Sequence, residues 1–155
     1  MMLRTIFVGF FVFFFSAFNV SAELIKRHIE YSEGETTLEG YVVYDDAIEG
    51  KRPGVVVIHD WMGFGEYGSM RAEMLAQMGY VALAGDIYGK GIRPTNNDEA
   101  AQQAGQYKGN RQLLRARVNA ALDALKQQAM VDPRQTEAIG YCFGGTTVLD
   151  LARGG

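Results

Sequence analysis

The stretch Glu137-Ala138-Ile139-Gly140-Tyr141-Cys142-Phe143-Gly144-Gly145-Thr146 contains the one cysteine of the chain. An apolar run enters Gly-x-Cys-x-Gly and a helical pattern leaves it, which reads as a strand, a sharp turn and a helix with Cys142 at the apex. Such a turn crowds its own flanks, and Gly140 and Gly144 remove the Cβ atoms that would collide there. The sulfur is then lifted above a sheet, beside a helix N-terminus whose unpaired N–H groups stabilise negative charge. A buried structural cysteine would behave as a small hydrophobe. The paired glycines and the strand-to-helix switch favour a nucleophile.

A sulfur nucleophile suits acyl chemistry. As the thiolate attacks a carbonyl, charge grows on the carbonyl oxygen, and two fixed N–H donors there lower the barrier by about 3 kcal/mol. Release of the acyl group then needs water activated by a histidine that a carboxylate holds in place. Only His28 and His59 are present. His28 falls on the polar face of an N-terminal strand. His59 opens a second loop rich in functional side chains, His59-Asp60-Trp61-Met62-Gly63, and reads as a hydrogen-bonding support for that loop. Asp60 reads as a brace for the loop through backbone N–H groups.

These loops need elements to position them. Ile25, Ile29 and Tyr31 alternate with Lys26, His28 and Glu30, the pattern of a half-exposed strand. Thr37 to Tyr44 is its expected hairpin partner across Glu33-Gly34-Glu35. Val55-Val56-Val57-Ile58 reads as a strand covered on both faces. Ser69 is the expected N-cap of a helix that packs Met70, Met74, Leu75 and Met78 into the core and stops at Gly79. Tyr80 to Ala84 is another buried strand, and Gly85-Asp86-Ile87-Tyr88-Gly89-Lys90-Gly91 is a loop. A short helix from Asn97-Asp98 to about Tyr107 precedes a longer one carrying Leu114, Val118, Ala121, Leu122, Leu125 and Ala129. Asp132-Pro133 leads to the cysteine strand, and a last helix begins near Thr146. Alternating strands and helices predict an α/β fold with a mostly parallel sheet, helices on both faces and ligands at the strand C-termini.

The 155 residues form one domain or part of one. The net charge of −3, with acids and bases interspersed, gives no basic patch for nucleic acid. Arg4, the apolar run Ile6 to Phe18 and Val20-Ser21-Ala22 read as a secretory signal peptide over residues 1–22, cleaved after Ala22, with an uncleaved N-terminal anchor as the alternative. The expectation is a secreted or periplasmic domain over residues 23–155, with charge about −4 and no membrane attachment after cleavage.

Gly140-Tyr141-Cys142-Phe143-Gly144-Gly145, taken with His59-Asp60-Trp61-Met62-Gly63 and Asp86-Ile87-Tyr88-Gly89, resembles the dienelactone hydrolase family of α/β-hydrolases over about residues 24 to 155. The resemblance implies an enzyme that hydrolyses a small ester or lactone with a Cys-His-Asp triad, and the leader makes it an exported one; no cofactor or metal is expected. It assigns Cys142 as nucleophile and the Trp61 and Phe143 backbone N–H groups as oxyanion hole. It places Asp60 where relatives hold a carboxylate against the thiol, which implies a second reading in which Asp60 accepts the thiol proton when substrate binds. Tyr88 and Lys90 become candidates for substrate contact; Lys90 stands where an arginine would grip a substrate carboxylate. Lysine keeps the charge but loses the two-pronged fork, which argues against dienelactone itself as substrate.

In that family the histidine and acid follow the nucleophile along the chain, so neither His59 nor His28 fits the base. The resemblance therefore implies a C-terminally incomplete domain, with acid and histidine expected beyond residue 155. An incomplete sheet would leave an apolar strand edge open, and residues 23–155 expressed alone are expected to fold poorly. The competing reading is a non-catalytic binding protein of the same fold, or an inactive fragment. An exposed thiol that senses oxidants is a third reading.

Overall fold

A computed structural model of the chain describes residues 23–154; the signal peptide expected over residues 1–22 lies outside them. Five strands and four helices follow in order: β1 (Leu24–Glu33), β2 (Thr36–Asp45), β3 (Arg52–Ile58), α1 (Glu66–Gln77), β4 (Val81–Gly85), α2 (Asn97–Gly109), α3 (Arg111–Lys126), β5 (Val131–Gly140) and α4 (Phe143–Gly154). One sheet carries the strands in the order β1-β2-β4-β3-β5.

The sheet is mixed rather than mostly parallel. β1 pairs antiparallel with β2, and β2 antiparallel with β4. β3 lies parallel between β4 and β5. The physical reason is connection length. A tight Gly34 turn can only reverse the chain, whereas the helical crossovers after β3 and β4 return it in the same direction.

Side chains alternate between two cores, as a sheet covered on both faces requires. Val56, Ile58 and Leu83 meet Tyr107, Leu114, Val118, Ala121 and Leu125 of α2 and α3 on one face. Val57, Ala82 and Ala84 meet Ala72 and Ala76 of α1 on the other.

α1 differs from the expectation in two respects. Its N-cap is Gly65, and the Ser69 hydroxyl turns back to the Gly65 carbonyl at 3.2 Å inside the first turn. Its buried stripe is Gly68, Ala72 and Ala76, while Met70, Met74 and Met78 are 45%, 46% and 71% exposed. Small residues let the helix lie close against β2 and β4, and the longer methionines on the outer side then face solvent. Gly79, with φ +93°, ends the helix in the left-handed conformation as expected.

β3, the central parallel strand, delivers the His59 loop at its C-terminal end, and β5 beside it delivers Cys142 at the same sheet end. Among the described residues β5 pairs only with β3, so its outer edge is open. Beside that edge Leu122, Ala138, Val148 and Leu151 line a groove. No helix among the described residues is long and apolar enough to cross a membrane.

Candidate active site at the cysteine turn

The turn from β5 into α4 is built by steric necessity. A Cβ on Gly140 would lie 2.0 Å from the Gly144 carbonyl oxygen, and one on Gly144 would lie 2.4 Å from the Ile58 oxygen and 2.6 Å from the His59 oxygen. Real Cβ atoms do not approach backbone this closely, so the strand, the helix and the end of β3 meet only because both residues are glycine. Cys142 between them has φ +53°, the one non-glycine residue with positive φ among those described. L-residues with a Cβ pay about 1 kcal/mol or more in this region. Its side chain is exposed and free.

The N–H groups around the sulfur divide into two sets. Gly144 donates to the Tyr141 carbonyl at 2.8 Å, and Gly145 to the Cys142 carbonyl at 3.1 Å. The Phe143 N–H and the Trp61 N–H have no acceptor among the described residues. Phe143 itself is buried, its ring stacked on His59 with centroids 5.8 Å apart.

Asp60 shapes the turn that holds Trp61. Its Oδ1 accepts the Met62 N–H at 2.8 Å and its carbonyl accepts the Gly63 N–H at 3.3 Å. The bracing role weighed from sequence is therefore present, and Oδ2 has no donor among the described residues. Trp61 is half-buried, and its carbonyl takes the Tyr88 hydroxyl at 3.0 Å.

His59 is buried beneath these loops, 3% exposed. The Ile87 N–H points at its Nε2 from 3.2 Å, which puts the ring proton on Nδ1, donating to the Asp60 carbonyl at 2.5 Å. The imidazole thus ties the loop after β3 to the loop after β4. Burial holds its pKa below the ordinary value, outweighing the Asp60 carbonyl and the Asp86 and Asp60 carboxylates that pull it up. The folded chain therefore binds fewer protons at His59 than the unfolded chain does below pH about 6.5. Stability is expected to hold above that pH and to fall below it, by up to about 1.4 kcal/mol per pH unit. Urea unfolding of the full-length protein at pH 7.5, 6.5 and 5.5 measures this. His28→Gln should keep the decline, and a flat profile would show that His59 protonates freely in the folded state.

Tyr88 and Lys90 lie in contrasting surroundings. Tyr88 is 4% exposed and packs between His59 and Tyr107 under the loops. Burial pushes its hydroxyl pKa up and keeps it a donor. Lys90 faces solvent and its Nζ pairs with Glu30 at 2.6 Å; that partner raises the ammonium pKa.

Sequence reasoning treated Asp86 only as part of a motif and did not single out Tyr31, Arg71 or Arg93. Asp86 is fully buried and accepts the Tyr88 and Gly89 N–H groups at 3.0 and 3.1 Å. The Tyr31 hydroxyl clamps both backbone groups of Asp86, at 2.8 and 2.9 Å. Arg71 of α1 donates to the Tyr141 hydroxyl at 2.6 Å and lies over that ring, bracing the residue before Cys142. The available signal was Asp two residues before Tyr and three before Gly, the spacing of a side-chain-capped turn.

The family model described as "Dienelactone hydrolase family" matches residues 38–155. The solved structure of the "Dienelactone Hydrolase-like Promiscuous" phosphotriesterase P91 from metagenomic libraries superposes with TM-score 0.82 at 38% identity, over 86% of this chain and 55% of that one. A structure called m3DLH gives TM-score 0.82 at 40% identity, over 84% of this chain and 55% of that one. Among curated proteins, protein usf of Aquifex pyrophilus is 30% identical over 128 residues, covering 80% of this chain and 54% of its own length. The chain spans about half the length of these relatives.

Proposed function

The chain belongs to the dienelactone hydrolase family of α/β-hydrolases, and on that premise we propose that it is the nucleophile-bearing part of an exported hydrolase of small esters or lactones. Cys142 attacks the acyl carbonyl, and the Trp61 and Phe143 N–H groups stabilise the oxygen as it becomes negative. Asp60, through its unbonded Oδ2, receives the thiol proton. The triad acid and histidine that release the acyl group lie in sequence beyond residue 155. The leader at residues 1–22 directs export, and the working protein is secreted or periplasmic.

The observation that carries this reading is the exposed Cys142 held at φ +53° between two glycines that nothing larger can replace. A structural thiol has no need of a strained backbone at a solvent-facing apex, and the same geometry weighs against a binding protein without turnover. An ester substrate agrees with the family to which the chain belongs. The relative named a phosphotriesterase gives a second class of ester worth assaying.

Acyl trapping tests the proposal. The full-length protein is quenched in acid during turnover of a p-nitrophenyl ester, and the tryptic peptide Gln135–Arg153 is weighed. Its mass should rise by one acyl group at Cys142. Turnover with that peptide persistently unmodified, under conditions where the burst shows acyl-enzyme accumulating, would remove Cys142 from the reaction.

A further inference from the structure

Tyr141 precedes the nucleophile, and α1 holds its ring. The Arg71 Nε–H donates to the Tyr141 hydroxyl at 2.6 Å, and the guanidinium carbon lies 5.2 Å from the centroid of the same ring. Tyr67 meets that ring edge-on with centroids 5.1 Å apart. Tyr67 and Arg71 stand one helical turn apart in α1, so a single helix face makes both contacts. Nη1 of Arg71 points to the Met74 sulfur at 3.6 Å, which steadies the guanidinium on its own helix.

The place of α1 in the chain gives this contact its consequence. Residues 59–65, which include Trp61, run directly into α1, and Tyr141 runs directly into Cys142 and Phe143. The two N–H groups assigned to the oxyanion therefore lie on separate segments, one just before α1 and one just after Tyr141. The Arg71–Tyr141 bond ties those segments together. On its backbone side Tyr141 donates to the Ile58 carbonyl at 3.3 Å and accepts the Gly144 N–H at 2.8 Å. Cys142 at φ +53° keeps that conformation only while its surroundings over-determine it, and the side-chain bond restrains the peptide that enters it.

Resting on the hydrolase reading, we propose that Arg71 is a positioning residue for the reaction. Through Tyr141 it keeps the Phe143 N–H in register with the Trp61 N–H as the acyl oxygen becomes negative. It acts on Tyr141 rather than on the substrate, so its effect falls on the step that moves charge onto oxygen.

Two reactions of the same thiolate separate this role from a structural one. With p-nitrophenyl acetate the sulfur bonds to the acyl carbon, charge passes through the carbonyl oxygen, and p-nitrophenolate leaves. With iodoacetamide the sulfur bonds to the methylene carbon, iodide leaves with the charge, and no oxyanion forms. Both draw on one thiolate, so the ratio of their rates is independent of its ionised fraction. The full-length protein is used, and Cys142→Ala defines reaction at any other residue.

Tyr141→Phe removes the hydroxyl and keeps the ring; it should slow acylation by about tenfold and leave alkylation within about twofold of the parent. Arg71→Met should do the same or more, and Arg71→Lys, which keeps a donor without the fork, should recover part of the loss. The double variant Arg71→Met/Tyr141→Phe should fall no further than Arg71→Met, because both changes remove one bond. Acylation and alkylation slowed equally would make the contact a structural prop, and acylation unchanged in Tyr141→Phe would make it idle; either result overturns the proposal. Failure of the parent to acylate while iodoacetamide still labels Cys142 is a different result: it removes the hydrolase reading, and this inference falls with it.

Discussion

Gly140→Ala is expected to lower the stability of the full-length protein by about 4 kcal/mol or more, enough to leave much of it unfolded. The added methyl would lie 2.0 Å from the Gly144 oxygen and 2.1 Å from its carbonyl carbon. Backbone atoms on both sides leave no flexible side chain to yield. Gly140 does not adopt positive φ, so alanine's conformational preference is no obstacle there and the penalty is steric. That separates it from Gly79, where a substitution would strain the backbone with space to spare. Gly144→Ala should behave like Gly140→Ala, since its methyl meets the Ile58 and His59 carbonyls instead. Urea unfolding of either variant within 1 kcal/mol of the parent would show that the turn opens more easily than its contacts allow.

Cys142 gives the second large effect, and it separates chemistry from stability. Cys142→Ala is expected to lower kcat/KM for ester hydrolysis by about 10³-fold or more, because the attacking atom is gone. Its stability should stay within about 0.5 kcal/mol of the parent, since alanine keeps the Cβ and the strain at φ +53°. Cys142→Gly is equally inactive and should be more stable than Cys142→Ala by about 0.5–1 kcal/mol. Relief of the left-handed backbone is worth about 1–2 kcal/mol, partly offset by the freedom glycine has when unfolded. A Cys142→Ala enzyme with undiminished turnover would refute the assigned nucleophile. Equal stability of the alanine and glycine variants would show that the backbone holds no strain there.

The features legible in the sequence were those with local causes. Gly140 and Gly144 announced a crowded turn because glycine on both sides of one residue has few other reasons. The run Val55 to Ile58 announced a strand buried on both faces because nothing in it faces water. The hairpin could be read from Gly34 and the alternation around it, but its consequence for the whole sheet could not. Whether β2 joins β4 parallel or antiparallel depends on a pairing forty residues apart in the chain, and the periodicity of either strand is the same both ways.

The methionines of α1 misled for a related reason. Met70, Met74 and Met78 share one side of the helix, but so do Gly68, Ala72 and Ala76 on the other, and hydrophobicity ranks the larger residues as core. Closeness of approach to the sheet decided the matter. At the site, Asp60 stood open between two roles because a carboxylate's partners are set by the turn it makes. The Asp86 turn was local and left a signal in the spacing, but the Tyr31 clamp on it was opaque because it joins residues 55 positions apart.

The strand order also constrains how the molecule can be made. β2 and β3 follow one another in sequence yet do not pair, since β4 lies between them in the sheet. As the chain leaves the ribosome from its N-terminus, the β1–β2 hairpin can close early, but it cannot join β3 until Val81 to Gly85 has emerged to clip the two together. α1 comes out before that clip, with Gly68, Ala72 and Ala76 still lacking the β4 surface they cover. The cysteine turn is later still, because β5 docks on a β3 that β4 has already fixed. Nascent chains stalled just before β4 emerges should therefore be open to proteases throughout α1, and those stalled after it should resist.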